Sequence, residues 1–183
     1  MEKTEVNCMQ RQAGFTLIEI MITLIIATIL IATTAPSLLS MIQNNRMVSL
    51  HNDLLSDLAL TRSTAVTRGN NATICASNTS GNQCLANSTR WSDGWIVFDD
   101  LDNDGAIDTN ETILATKQDI PEQLQMIGNS NRVSFDAEGS AFGFAGEFAF
   151  CDSRGEDAKR GLVVSNSGRS RVAKDNEISV TCP

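Results

Sequence analysis

The sequence predicts an α+β protein in which a long N-terminal hydrophobic helix packs on a small antiparallel β-sheet head. Three features support this class: an apolar run near the N-terminus, a following stretch with apolar residues at helical spacing, and several short β-branched and aromatic runs. The 183 residues allow one modest domain and an additional element. Because the formal net charge is -8, any DNA binding requires a local basic patch.

The N-terminal segment joins a polar start to an apolar run long enough to span a bilayer. Residues 1–13 are polar, and the apolar run covers residues 15–35. A secretory signal peptide is cleaved after its apolar run, whereas here the small residue Gly14 precedes the run. Arg11 favours a cytoplasmic N-terminus. Glu19 places a carboxylate inside the run at a cost of about 2.5–3.5 kcal/mol, which marks it as a functional residue.

A second helical pattern follows Pro36, whose ring is expected to kink the helix. Apolar residues recur at steps of three or four, which indicates an amphipathic helix with one face turned to a core. Arg68-Gly69-Asn70 predicts the end of this helix.

Short apolar and β-branched runs, separated by turn residues, predict the strands of the head. They occupy residues 72–75, 95–98, 112–114, 132–135, 148–151, 161–164 and 178–180. Their spacing suits an antiparallel sheet with the helix on one face and a second sheet or hairpin beyond it. Trp91, Trp95 and Phe98 are expected to pack in the core.

The run Gly14-Phe15-Thr16-Leu17-Ile18-Glu19 before an apolar helix resembles the type III leader of type IV pilins and type II secretion pseudopilins. The resemblance implies that a prepilin peptidase cleaves between Gly14 and Phe15 and that Phe15 is then N-methylated. It also implies that Glu19 pairs with the N-terminal amine of a neighbouring subunit, since a buried anion is tolerated only when paired. The alternative is a plain membrane anchor whose glutamate lies near the interface.

Segments of the head are similar to the GspH/FimT/FimU group of minor pilins and pseudopilins. The similarity lies in residues 65–66, 91–98, 135–139 and 168–169. It implies a GspH-like head in the periplasm, a single pass through the inner membrane, and later incorporation into a pilus at the cell surface beside other major and minor pilins. The expected divisions are a cleaved leader over 1–14, a membrane and filament-core helix over 15–39, an amphipathic helix over 40–69 and a head over 70–183.

Removal of the leader also removes Cys8, one of five cysteines. Cys75 and Cys84 flank a turn-rich segment, which leaves Cys151 and Cys182 to pair with each other. Four cysteines allow three pairings, and the sequence alone does not choose among them. We expect structural disulfides because an exported chain meets an oxidising compartment.

A basic island lies near the C-terminus of this acidic chain. Gly168-Arg169-Ser170-Arg171 follows turn residues and predicts a loop between two strands. Guanidinium groups bind phosphate oxygens in bidentate fashion. The Gly-Arg-x-Arg spacing resembles the C-terminal loop of FimT-like minor pilins, which implies that Gly168, Arg169 and Arg171 bind double-stranded DNA weakly and without sequence preference. Charge alone adds Lys159, Arg160 and Lys174. The alternative is a solvated turn whose arginines pair with acidic neighbours.

A second candidate site is an acidic loop with the spacing of a calcium-binding loop. Its expected ligands are Asp100, Asp102, Asp104, the carbonyl of Ala106, Asp108 and Glu111, with Gly105 at the turn. A strand, not a helix, is expected to enter the loop, so an EF-hand pair is excluded. The alternative is an ordinary acidic turn with no bound ion.

The chain carries no nucleophile–base pair or phosphate-binding glycine loop, so the sequence favours a non-enzymatic role. Three functions remain. The favoured one is a FimT-like minor pilin that binds incoming DNA during natural transformation. The others are a FimU-like minor pilin that primes pilus assembly and a GspH-type pseudopilin of type II secretion.

Overall fold

One helix, α1, runs over Leu17–Arg68, and two four-stranded antiparallel sheets follow it. The computed structural model describes residues 14–173 and 177–183. Two compact units are distinguished, Met1–Ile42 and Gln43–Pro183. The first unit therefore contains the apolar part of α1, and the second contains the rest of α1 together with both sheets. The prediction of a long apolar helix joined to an antiparallel β head is confirmed.

The helix begins where the sequence supplies a cap. The Thr16 hydroxyl oxygen accepts the backbone N–H of Glu19 at 3.3 Å, which satisfies one of the unpaired donors of the first turn. Within the apolar part, the hydroxyls of Thr23, Thr28 and Thr34 donate to backbone carbonyls of the preceding turn. These threonine hydroxyls are thus paired locally, as a hydrocarbon environment requires. By length and composition, this one helix of the described residues is able to cross a membrane.

The part of α1 in the second unit presents an apolar face to the core. Its buried residues are Met47, Leu50, His51, Leu54, Leu58, Thr61 and Ala65. The predicted face is present, and it also includes a histidine. His51 packs its ring 5.2 Å from that of Phe150. Burial is the main cause that lowers the pKa of His51, so the imidazole is neutral in the core.

The strands form two sheets with complementary inner faces. Their bounds are β1 Ala72–Ala76, β2 Trp95–Asp99, β3 Ile113–Lys117, β4 Gln125–Gly128, β5 Arg132–Phe135, β6 Gly146–Cys151, β7 Arg160–Val164 and β8 Ser170–Val172. One sheet has the order β3-β2-β1-β5 and the other the order β4-β6-β7-β8. A single cluster of buried side chains contains residues of α1 and of both sheets.

Trp91 and Trp95 belong to this core, as predicted, while Phe98 is buried in a separate small cluster with Cys75 and Ile96. All three aromatic side chains are fully buried, which excludes an open aromatic ligand cage. The indole N–H of Trp95 donates to the Asp57 carboxylate at 2.7 Å. That of Trp91 donates to the Ser130 carbonyl at 2.9 Å. Each large ring is therefore buried without leaving a polar group unpaired.

Three elements differ from the sequence prediction. Strand β8 begins at Ser170, inside the stretch predicted as a loop. Strand β4 was not predicted, because Gln125-Met126-Ile127-Gly128 has only one β-branched residue. These residues form a strand because they pair with β6. Conversely, the predicted strand over 178–180 is irregular. Side chains and a disulfide, not a strand ladder, hold this segment, as described below.

Candidate functional site

Residues 165–169 form a tight turn between β7 and β8, and the last two residues of the Gly-Arg-x-Arg stretch, Ser170 and Arg171, lie in β8. The N–H of Gly168 donates to the Ser165 carbonyl at 2.8 Å, and the N–H of Ser165 donates to the Arg169 carbonyl at 3.0 Å. Gly168 has a φ of 74°, a conformation that L side chains rarely adopt. The prediction of a loop between two strands holds for Gly168 and Arg169, whereas Ser170 and Arg171 belong to strand β8. The turn is ordered by its own hydrogen bonds.

Gly168 lies directly against the turn that contains Gly139. A Cβ atom placed on Gly168 would lie 1.9 Å from the carbonyl oxygen of Gly139, so these two turns touch backbone to backbone. Arg62 of α1 links them, since its Nε donates to the Gly139 carbonyl at 2.9 Å and its guanidinium also donates to the Ser167 carbonyl at 3.3 Å. The glycine of the motif therefore has a packing role, and Arg62 supports the loop from the helix.

The sequence prediction missed Arg62. It lies 77 and 105 residues from its two carbonyl partners. On α1 it is simply one more exposed residue of the polar face, and no local pattern distinguishes it. Only the approach of the two turns to the helix reveals its role.

Arg169 is the most accessible cation of the loop. Its side chain is exposed. Within residues 14–173 and 177–183 it makes neither a hydrogen bond nor an ion pair, whereas its backbone is fixed by Ser165. An exposed guanidinium on a fixed backbone is well suited to bind phosphate oxygens.

Arg171 is engaged within the molecule. Its guanidinium forms a bidentate ion pair with Glu177, one N–O distance being 2.7 Å. The hydrogen bond from Glu177 raises the pKa of Arg171. The alternative of an arginine paired with an acidic neighbour therefore holds for Arg171 of β8, whereas Arg169 has no such pair among the described residues.

The three further cations that were predicted to bind DNA from their charge alone have different surroundings. Lys159 forms an ion pair with Glu156 at 2.6 Å and donates to the Val180 carbonyl at 3.1 Å. Arg160 is exposed, and its positive charge contributes to the lowered pKa of His51. Lys174 lies outside the described residues.

Residues 177–183, here called the C-terminal strap, are held on the head by hydrogen bonds to carboxylates and by a disulfide. The backbone N–H of Ser179 donates to the Glu147 carboxylate at 2.9 Å. Cys182 forms a disulfide with Cys151 of β6, and its N–H donates to Glu156. Lys159 first, and then this N–H, lower the pKa of Glu156. The second disulfide, Cys75–Cys84, closes the turn-rich segment after β1.

The acidic loop brings part of the expected calcium set together. Carboxylate oxygens of Asp100, Asp102 and Asp104 lie within 4.8 Å of one another. Asp100 is fully buried and accepts hydrogen bonds from the Thr73 hydroxyl at 2.6 Å and from a loop N–H.

Glu111 and Asp108 lie outside that cluster of three. The Glu111 carboxylate accepts the backbone N–H groups of Leu101 and Asp108, at 2.8 and 3.0 Å. These bonds close the loop within the protein itself, and the Ala106 N–H donates to Asp104 at 2.7 Å.

Calcium binding at this loop stays a prediction that thermal unfolding can measure. If the ion binds the folded loop, millimolar calcium raises the melting temperature, because a ligand of the folded state alone stabilises it by about 2.7 kcal/mol at a hundred times its Kd. The variant Asp102→Asn/Asp104→Asn is expected to lose this response. An unchanged melting temperature of the wild-type chain contradicts calcium binding.

The residues of the expected leader site lie in the first unit. A Cβ atom added to Gly14 would meet no other atom within 4 Å, and Phe15 is 77% exposed. Glu19 is exposed in the first turn of α1. Together these residues form an accessible segment before and within the start of the helix.

Comparisons with known proteins agree with this architecture. The sequence model of the family described as type II transport protein GspH matches residues 51–168, and that of the prokaryotic N-terminal methylation motif matches residues 9–35. A sequence comparison with curated proteins finds no match.

Solved structures with a similar fold include two crystal forms of the type IV minor pilin FimU of Pseudomonas aeruginosa. The P21 form has 21% identity and a TM-score of 0.59, covering 77% of this chain and 98% of that one. The P65 form has 19% identity and a TM-score of 0.52, covering 74% and 98%. At these identities the likeness shows the fold.

An N-terminal methylation motif on an apolar helix, followed by a two-sheet α+β head, defines a pilin-like protein. The chain belongs to the GspH family, whose model covers more than half of it. It is therefore a minor pilin or pseudopilin, a structural protein and not an enzyme. The resemblance drawn from the leader and head segments is confirmed at this level.

Proposed function

We propose that this protein is a minor pilin of a type IV pilus that binds DNA through the β7–β8 loop, with Arg169 as the principal contact. The observation that supports the proposal is an exposed guanidinium without an acidic partner among the described residues, on a turn that is fixed by hydrogen bonds. Because the net charge is -8, binding depends on this local geometry and not on the general field of the protein.

A single loop makes few phosphate contacts, so the affinity of one subunit is low and decreases steeply with salt. Multiple subunits along one filament offset this weakness, since the second contact with the same DNA becomes intramolecular. Double-stranded DNA bound in this way is recognised through its phosphates, and therefore without sequence preference.

At the N-terminus, we propose cleavage by prepilin peptidase between Gly14 and Phe15, N-methylation of Phe15, and pairing of Glu19 with the terminal amine of a neighbouring subunit. The match to the N-terminal methylation motif and the accessibility of this segment support the proposal. The head then lies in the periplasm until the subunit enters the filament.

Arg169→Ala is expected to weaken binding of the full chain, purified in detergent, to double-stranded DNA by about ten-fold, because charge-assisted hydrogen bonds are worth about 1.5–3 kcal/mol. The slope of log Kd against log salt is expected to fall by about one. Fluorescence anisotropy across a salt series measures both quantities.

Arg46→Ala is the matched control, since it removes the same charge from an exposed residue of α1. It is expected to leave the affinity within about two-fold, as screening reduces the effect of a distant exposed charge. Equal losses in the two variants would mean that net charge and not the loop governs binding.

The second candidate function is filament assembly without DNA binding, which the fold likeness to FimU favours. In that case the wild-type chain and Arg169→Ala are equally inactive toward DNA, while removal of the protein still reduces piliation. The same experiment thus separates the two functions.

A further inference from the structure

One aromatic ring of the head is not part of its core. Phe142 is 79% exposed, the highest value among the large apolar residues described in the second unit, where Val172 follows at 57%. The next aromatic residue, Phe144, lies under the guanidinium of Arg132 at 4.8 Å. Phe142 therefore has a large apolar surface for which the described part of the head provides no partner.

Phe142 lies next to the proposed DNA loop. The preceding residue, Ala141, is fully buried, and its N–H donates to the Asn166 carbonyl in the β7–β8 turn at 2.9 Å. The Phe144 N–H donates back to the Ala141 carbonyl at 3.0 Å. The backbone on both sides of Phe142 is thus fixed, and one side is fixed to the loop that carries Arg169.

The charges around this ring favour an anionic occupant. Arg62 joins the two turns, and Arg169 extends from one of them. One exposed acid, Glu138, lies on the adjoining turn. An exposed aromatic ring whose backbone is tied to a loop with an exposed arginine is suited to bind single-stranded nucleic acid, because the ring stacks on an unpaired base while the cation holds a phosphate.

We propose that Phe142 stacks on an unpaired base and so gives the loop a preference for single-stranded DNA or for frayed duplex ends. This inference rests on the proposed DNA-binding function, and it assigns to Phe142 a role that the Gly-Arg-x-Arg motif does not contain. Paired bases in a duplex do not offer a free face except at its ends, so Phe142 contributes little to binding of a closed duplex.

The test compares a short labelled single strand with a relaxed circular duplex, which has neither ends nor unpaired bases, using the full chain in detergent. Phe142→Ala is expected to weaken binding to the single strand by about five-fold or more, which corresponds to the stacking of one base, and to leave binding to the circular duplex unchanged. Phe142→Leu keeps an apolar side chain without an aromatic face and is expected to behave like Phe142→Ala. Phe142→Trp is expected to retain or strengthen binding to the single strand.

Four outcomes overturn the inference. If Phe142→Ala binds the single strand as the wild type does while Arg169→Ala does not, the inference fails and the proposed function stands. If Phe142→Leu matches the wild type, the contact is not stacking. If Phe142→Ala reduces incorporation into the filament but not binding to the single strand, the ring contacts a neighbouring pilin. Absence of DNA binding by the wild-type chain overturns the function and the inference together.

Discussion

Replacing Gly168 with alanine is expected to lower the free energy of unfolding by about 2–5 kcal/mol and to weaken DNA binding. A positive φ costs an L residue about 1–2 kcal/mol, and forcing a methyl group into filled space adds about 1–3 kcal/mol. The added Cβ would lie 1.9 Å from the Gly139 carbonyl oxygen, which is backbone and cannot rotate away. The loop must therefore move, and its hydrogen bonds with Arg62 and Ala141 are expected to weaken with it.

Gly69→Ala is the matched control for this prediction. Gly69 also has a positive φ, 67°, but no atom lies within 4 Å of an added Cβ. Gly69→Ala is expected to lower the free energy of unfolding only by the cost of a positive φ in an L residue, about 1–2 kcal/mol. Urea unfolding, followed by near-ultraviolet circular dichroism of the buried tryptophans, measures both variants. Equal losses would show that contact between the two turns does not contribute to stability.

The helix and the class of the head could be predicted because their signals are local. Apolar residues at steps of three or four define the buried face of α1, and short apolar and β-branched runs such as 95–98 define strands. Strand β4 could not be predicted, since its four residues become a strand only when β6 provides a partner. The irregular 177–183 segment was misjudged for the converse reason, because a β-branched pattern has no effect where no ladder forms.

The candidate site could be predicted in composition but not in arrangement. The sequence shows several cations between residues 154 and 174. It does not show that Glu177 engages Arg171 while Arg169 remains exposed, since this depends on where the strap lies. Arg62 contacts the loop, and the backbone of Ala141 places Phe142 next to it, only through long-range hydrogen bonds. A residue-type pattern identifies candidates, and folded neighbours decide which of them have free hydrogen-bonding groups.

Removing the disulfide of the strap, by Cys151→Ala/Cys182→Ala, is expected to lower the free energy of unfolding by about 2–4 kcal/mol. The bond closes a loop with a sequence separation of 31 residues, and such a bond stabilises mainly by restricting the unfolded chain. In the folded state the strap is further held by Glu147 and by the ion pair of Arg171 with Glu177. Exposed ion pairs contribute about 0–1 kcal/mol each, so they cannot replace the disulfide.

The matched control is Cys75→Ala/Cys84→Ala, which opens a loop with a separation of nine residues. Because loop-closure entropy depends on loop length, this variant is expected to lose about 1 kcal/mol less of its free energy of unfolding than Cys151→Ala/Cys182→Ala does. Hydrogen exchange gives an independent readout: the Ser179 and Cys182 N–H groups, which donate to Glu147 and Glu156, are expected to lose protection only when the strap disulfide is absent. Retained protection at these two groups would mean that carboxylate contacts alone hold the strap. Arg171 would then stay paired with Glu177 even under reducing conditions, and Arg169 would remain the loop's accessible cation in either redox state.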